Sequence, residues 1–234
     1  MAFDTAGNII NDAAVEVGLS SVSNPYTSMD PNFIQLRTLL KTCGRELLHT
    51  RDWTHLRKEY TFTTVAGTDT YALPADFHNM YDQTWWNRTN RLPVGGPLSA
   101  QEWQYLKARL VGVVFTVLFR PMNQQIKIYP DGADTPGGYT IAFEYNTSYW
   151  VSVAATPTTL TADAPAASTD TLWFDPVLLL RYLKLNFLKA KGFDTSAAQA
   201  EFDLTLERVK GDDSISPILS LNGALRNQEI DWLA

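Results

Sequence analysis

The sequence predicts an α+β fold with a mainly helical core: a helix pair, a small antiparallel β meander and a closing helix pair, extended by an arm and a C-terminal tail. Three observations predict it. Apolar residues recur at helical spacing near both ends of the chain. Between them, from Tyr60 to Val153, the period falls to two. Two Asp-Pro pairs, Asp30-Pro31 and Asp175-Pro176, each set a capping carboxylate before a proline whose missing N–H costs nothing in a first helical turn.

In chain order, Ile9, Ile10, Ala13, Ala14 and Val17 form the apolar face of a first helix over 8–18, closed by Gly18. Residues 20–28 read as a loop. A second helix over 31–53 carries the stripe Phe33, Leu36, Leu40, Cys43 and Leu47, with Arg37, Lys41, Arg45 and Arg51 mostly elsewhere on its surface. Cys43 is therefore expected to pack as a small, inert hydrophobe. Strands are expected within 60–153, from the alternation in Tyr60-Thr-Phe62, in Phe115, Val117 and Phe119, and in Tyr139, Ile141, Phe143 and Tyr145. Short connections at Met122-Asn-Gln and Pro130-Asp-Gly favour direct antiparallel pairing of neighbours. A helix over 99–110 interrupts the sheet; Ser99 and Glu102 are spaced as a capping box, and Trp103, Leu106 and Leu110 share a face.

Segment 152–170 has no Lys or Arg and few aliphatic side chains apart from Ala. It reads as a mobile loop or an arm that orders against something else, unable to supply a core. Two helices close the domain, over 175–191, ended by Gly192, and over 195–210, capped by Thr195, with Ala198, Phe202, Leu206 and Val209 on one face. One domain over 1–211 is thus followed by an extended tail, 212–234. The tail's apolar beads Leu221, Leu225, Ile230, Trp232 and Leu233 are the expected partner-binding residues, because an apolar segment of this kind is a liability unless it docks.

Composition narrows the function. The chain has 234 residues, 45% of them hydrophobic, which excludes wholesale disorder. Its net charge of −6 lacks the basic footprint of a protein that binds by neutralising phosphates. The local cluster Arg45, Arg51, Arg57 and Lys58 reads as a solvated helix end that complements the helix dipole. A single Cys permits neither an intramolecular disulfide nor a cysteine-built zinc site, and points to a reducing compartment. The first residues carry no signal-peptide pattern, so the expected site of synthesis and folding is the cytoplasm. The most apolar run, 177–188, is broken by Arg181, Lys184 and Asn186 and is shorter than the roughly 18 residues a membrane span needs; it reads as a buried helix. The sequons at Asn87 and Asn146 are chance matches on this reading.

No catalytic motif is legible, so no enzyme activity, cofactor or metal is expected. His49, His55 and His78 have no metal-ligand spacing, no phosphate-binding glycine loop is present, and Gly95-Gly96 reads as a turn. Paired acids need no motif, and Asp76, Asp82 and Glu102 lie among Trp85, Trp86 and Trp103, side chains of a kind that stack on sugars. A carbohydrate-binding or glycan-cleaving module is therefore the alternative from another class. Core or interface burial of the tryptophans is the stronger reading.

The stretch Val65-Ala-Gly-Thr-Asp-Thr-Tyr-Ala-Leu-Pro-Ala-Asp-Phe77 resembles the head-to-tail adaptors of short-tailed bacteriophages, also called tail accessory factors or head-completion proteins. The likeness extends over roughly 8–210 as an ordered series: a Trp-containing segment closing a helix pair, at Leu47 to Trp53; Tyr-x-Leu-Pro-x-Asp-Phe at Tyr71 to Phe77; a Trp-rich strand; Ser-x-x-Glu-Trp at Ser99 to Trp103; a Pro-containing hairpin at Pro121 to Pro130; and two closing helices. The resemblance implies a virion protein of the head–tail junction, assembled in the host cytoplasm as a ring, twelve-fold in the family, beneath the portal protein. Such a ring extends the DNA channel, helps retain the packaged DNA without reading its sequence, and presents a surface to the next tail or nozzle protein. A head-completion protein of a long-tailed phage is the alternative within virology. Neither the 152–170 arm nor the tail matches a family motif.

Overall fold

The computed structural model describes residues 3–108, 117–130, 135–156 and 158–213. In chain order the first half contains β1 (Asp4–Thr5), α1 (Ala6–Glu16), α2 (Pro31–Thr50), β2 (Arg57–Thr63), β3 (Thr70–Ala72), β4 (Phe77–Met80), β5 (Trp86–Asn87), β6 (Leu92–Pro93) and α3 (Ala100–Ala108). The second half contains β7 (Leu118–Met122), β8 (Gln125–Tyr129), β9 (Thr140–Thr147), β10 (Val151–Ser152), β11 (Thr171–Leu172), α4 (Pro176–Lys191) and α5 (Ser196–Asp213). The class is α+β with antiparallel strand pairing, and the residues divide between two hydrophobic cores.

The first core is helical. α4 packs against α1, α2 and α5, and the stripe expected on α2 is wholly buried: Phe33, Leu36, Leu40, Cys43 and Leu47. Both Asp-Pro starts cap as expected, with Asp30 accepting from Asn32 N at 2.8 Å and Asp175 accepting from Leu178 N at 2.9 Å. Gly192 ends α4 in the left-handed conformation, at φ 76°. The bounds shift at other ends. Thr5, not a residue near 8, caps α1, its hydroxyl accepting from Asn8 N at 3.4 Å. α2 stops at Thr50 rather than 53, so that Trp53 folds back into the core and donates its indole N–H to the Leu47 carbonyl at 2.8 Å. At the start of α5 the side-chain cap is Asp194, which accepts from Ser196 N at 3.0 Å; Thr195 accepts the first helical bond through its carbonyl.

The second core lies in the sheets, where Trp85 is stacked between Phe119 and Phe143 at centroid distances of 3.7 and 3.9 Å. The β7–β8 hairpin turns through Asn123 and Gln124 at φ 54° and 57°, the two-residue turn whose twist matches antiparallel strands. A simple meander is not what forms. Among the described strands there are three small sheets, and β9 is central to the largest, pairing with β2 on one side and with β4 and β5 on the other. β8 and β9, expected to pair through the Pro130 turn, lie in different sheets. β1 and β11 fall outside the expected window of 60–153; they are two-residue strands, too short to show a period, and they pair with each other. On α3, Ser99 and Glu102 cap reciprocally and Trp103 is buried, while Leu110 and Phe115 lie outside the described residues.

The arm is the main correction. Far from leaving the domain, segment 152–170 returns to it: Leu160 is buried in the helical core and Ala162 bridges to Val151. Its end is fastened by polar groups, with Asp170 accepting from Ala166 N and Ala167 N at 2.7 and 2.8 Å and the Ser168 carbonyl accepting from Gly7 N at 2.9 Å. One leucine and several backbone bonds suffice where composition suggested that nothing would hold. At the other end, α5 runs through Gly211 to Asp213, so the expected boundary at 211 falls inside a helix.

Gly44, in the middle of α2, faces the fully buried Trp150, and any Cβ there would overlap the indole ring. Alanine would raise helix propensity by about 1 kcal/mol and yet force two core elements apart. Gly44→Ala is expected to lower stability by about 1–3 kcal/mol, read as a fall in the urea midpoint. An unchanged or higher midpoint would show that the ring has room to move.

Candidate interaction surface

The Tyr71 to Phe77 motif builds a junction rather than an open site. Tyr71 donates to the Thr68 carbonyl at 2.8 Å and accepts from Val65 N at 2.8 Å, which closes the preceding loop. Pro74 accepts from Phe77 N, turning the chain into β4. Asp76 then enters the interior, 8% exposed, and accepts from Lys58 Nζ at 2.7 Å, Tyr145 OH at 2.8 Å and Thr147 Oγ1 at 2.7 Å. Its carbonyl accepts from Ser148 N at 2.7 Å. Lys58 also reaches the Leu160 carbonyl at 3.2 Å, so one ion pair ties β2, β4, β9 and the 152–170 segment together. Burial alone would raise the Asp76 carboxyl; the hydrogen bonds from Lys58, Thr147 and Tyr145 outweigh it and hold the group below the usual carboxylate range.

The basic cluster is neutralised residue by residue. Arg45 pairs with Asp163 at 2.6 Å, Lys58 with Asp76, and Arg57 with Glu144 at 3.6 Å while lying over the Tyr81 ring. Arg51 lies 3.8 Å from Asp213 and donates to the Lys210 carbonyl. These cations hold elements in place and form no open basic face.

The acids and tryptophans of the carbohydrate alternative separate in the same way. Asp76 is committed to its junction and Glu102 to the α3 cap, Trp85 and Trp103 are buried, and Asp82 is exposed. Only Trp86 presents a face, at 48% exposure. Among the described residues no group of three or more His, Cys, Asp and Glu could hold a metal. His49 and His78 do come together, rings 4.8 Å apart; burial first, then His49, lowers the His78 pKa. Burial likewise lowers His55, which sits 3.6 Å from Asp213. Cys43 is buried as expected, its thiol pushed up to about 12 by burial, with Asn186 donating to the sulfur at 3.1 Å. Asn87 and Asn146 are both buried, which agrees with the sequons being chance matches. Among the described residues no helix is long and apolar enough to cross a membrane.

Two of the surface clefts among the described residues bear on the site. One, of about 610 Å³, is lined by Leu73, Pro74 and Phe77 from the motif and by Pro121, Met122 and Asn123 at the β7–β8 hairpin tip. The other, of about 520 Å³, lies on the outward face of the β9 sheet. Register builds it: Thr61, Ala142 and Trp86 form one cross-strand row, and Glu59 opposite Glu144 forms the next. Arg88, paired with Glu59 at 2.6 Å, and Arg91 complete the rim. Sequence reasoning grouped Trp86 with its buried neighbours and passed over Arg91. The alternation of adjacent strand residues, Trp85 inward and Trp86 outward, was the available signal. The expected docking residues Leu221, Leu225, Ile230, Trp232 and Leu233 lie outside the described residues.

A family model described as SU10 adaptor protein matches residues 4–222. No curated protein matches the sequence.

Replacing Asp76 by Asn leaves Lys58 without its counter-ion at the junction. Asp76→Asn is expected to cost about 1–2 kcal/mol at pH 7, in the lower range for a broken pair because Lys58 reaches solvent. A carboxyl held below its unfolded pKa of about 3.9 stabilises the fold above that value, and the contribution is lost as pH falls through the folded pKa. Urea midpoints of the two proteins should differ at pH 7 and converge in acid. A gap that persists unchanged at the lowest pH at which both fold would overturn the assignment.

Proposed function

Because the chain belongs to the SU10 adaptor protein family, matched over residues 4–222, we propose that it is a structural head-to-tail adaptor of a bacteriophage virion. The coverage of nearly the whole described fold by that one family carries the reading. Copies assemble as a ring under the portal protein, twelve in number if the stoichiometry implied by the resemblance holds. The ring extends the DNA channel, helps retain the packaged genome and offers the next tail component its attachment surface. All of this is stoichiometric binding, and the protein acts without catalysis, cofactor or membrane partner.

The electrostatics support a conduit over a clamp. A wall that passes DNA must not hold it, since fixed phosphate contacts would add a salt-dependent attachment at every register. Arg45, Arg51, Arg57 and Lys58 are all engaged with carboxylates of the same chain. Twelve copies at −6 would carry about −72, so apolar contacts between subunits must offset a repulsion that salt screens.

Mixing the protein with its cognate portal is expected to give ring-shaped assemblies in negative-stain micrographs, favoured by moderate salt. Titration with duplex DNA at physiological ionic strength is expected to show weak binding. Tight, steeply salt-dependent DNA binding, or glycan binding by a monomer with no association with portal, would replace the adaptor reading.

A further inference from the structure

The cleft on the outward face of the β9 sheet has the chemistry of a protein-binding hot spot. Trp86 stands 48% exposed in a groove floored by the buried Ala142, with Pro93 opposite it on the same face of the sheet. Half-exposed tryptophan and arginine are the residues that most often anchor protein interfaces. The charges are unbalanced. Glu59 is matched by Arg88 and Glu144 by Arg57, and among the described residues Arg91 has no acidic partner. The backbone at the rim is also held in an uncommon state: Gln83 and Arg91 adopt φ values of 61° and 57°, left-handed positions that cost non-glycine residues energy and that tend to cluster at binding sites. The groove thus calls for an extended partner with aromatic or aliphatic side chains alternating with acidic ones.

The chain's own C-terminus has that pattern. Glu229-Ile-Asp-Trp-Leu233 alternates acidic and apolar residues, so that in an extended strand Glu229 and Asp231 lie on one face and Ile230 and Trp232 on the other. We propose that residues 229–233 of one copy dock in the Trp86–Arg91 groove of a neighbouring copy. Asp231 or Glu229 then supplies the counter-charge for Arg91, and Trp232 packs on Trp86. The chain beyond Asp213 is long enough to reach a neighbouring copy. From Asp213, anchored on Thr54, to Glu229 the extended chain spans about 50 Å. A domain of this length has a radius of gyration of about 17 Å, which places a touching copy some 40–45 Å away. A return to the groove of the same subunit, one β2 strand from Thr54, needs far less chain.

The proposal rests on the self-assembly set out above, and the test separates the two. In the full-length chain, N90C puts a thiol on the turn beside Arg91 and A234C puts one just beyond the docking segment; Cys43 stays buried. Oxidation of the assembled double variant is expected to give a ladder of disulfide-linked multimers on a non-reducing denaturing gel, absent from either single variant. In parallel, R91E, whose exposed side chain has no acidic partner among the described residues, is expected to raise the concentration needed for half-assembly roughly tenfold, with D231R in the same chain recovering most of it. Assembly with no cross-link, or with only intrachain linkage, overturns the docking proposal and leaves the adaptor reading intact. So does cross-linking that appears only between this chain and portal. A full-length chain that stays monomeric, with or without portal, overturns both.

Discussion

The structure depends on the ion pair between Lys58 and Asp76. Two hydrophobic cores, one helical and one in the sheets, share a boundary, and at that boundary a carboxylate is taken nearly out of water. Such a group is tolerated only if its oxygens are fully engaged, and here a lysine, a tyrosine and a threonine do so from two strands. Hydrophobic burial is non-directional and would let the two cores slide on each other; directed bonds to a buried charge fix their register. The lysine's further bond to Leu160 extends the same constraint to a segment with almost no apolar surface of its own.

β9 sets the topology around that pair. Its inward residues Ile141, Phe143 and Tyr145 build the sheet core, and its outward Ala142 and Glu144 form the floor of the groove that carries Trp86. Its partners come from β2, β4 and β5, all more than fifty residues earlier in the chain, so the sheet closes through long loops. Local hairpins would form faster. Non-local pairing instead brings the end of the 71–77 motif at Phe77, the Trp85-Trp86 step and the return to the helical core onto one strand.

The sequence was legible wherever a signal is local and repeated. Helix faces follow from spacing, so the stripe from Phe33 to Leu47 and the burial of Cys43 could be read directly, as could the caps at Asp30, Ser99 and Asp175. Pairing partners could not, because alternation shows that Phe143 faces inward without showing which strand lies beside it. The 152–170 segment was misjudged for a related reason: composition measures how much apolar area a segment has, not whether one Leu160 meets a prepared hole. The basic cluster around Arg51 dissolved on folding because its counter-ions Asp163, Asp213, Glu144 and Asp76 are remote in sequence. Trp86 and Arg91 were missed as a pair because the turn that joins them has no apolar period to draw attention to it.

The end of α5 has a mechanical consequence. Asp213, 5% exposed, is clasped by Thr54 through both its N–H and its hydroxyl, with Arg51 beside it. Thr54 lies between the end of α2 and the start of β2, at the seam where the two cores meet. Tension applied to the chain beyond Asp213 is therefore delivered to the seam and not to a fraying helix tip. The helical layer and the sheet would take up that load together, through the two bonds from Thr54 and the charge of Arg51.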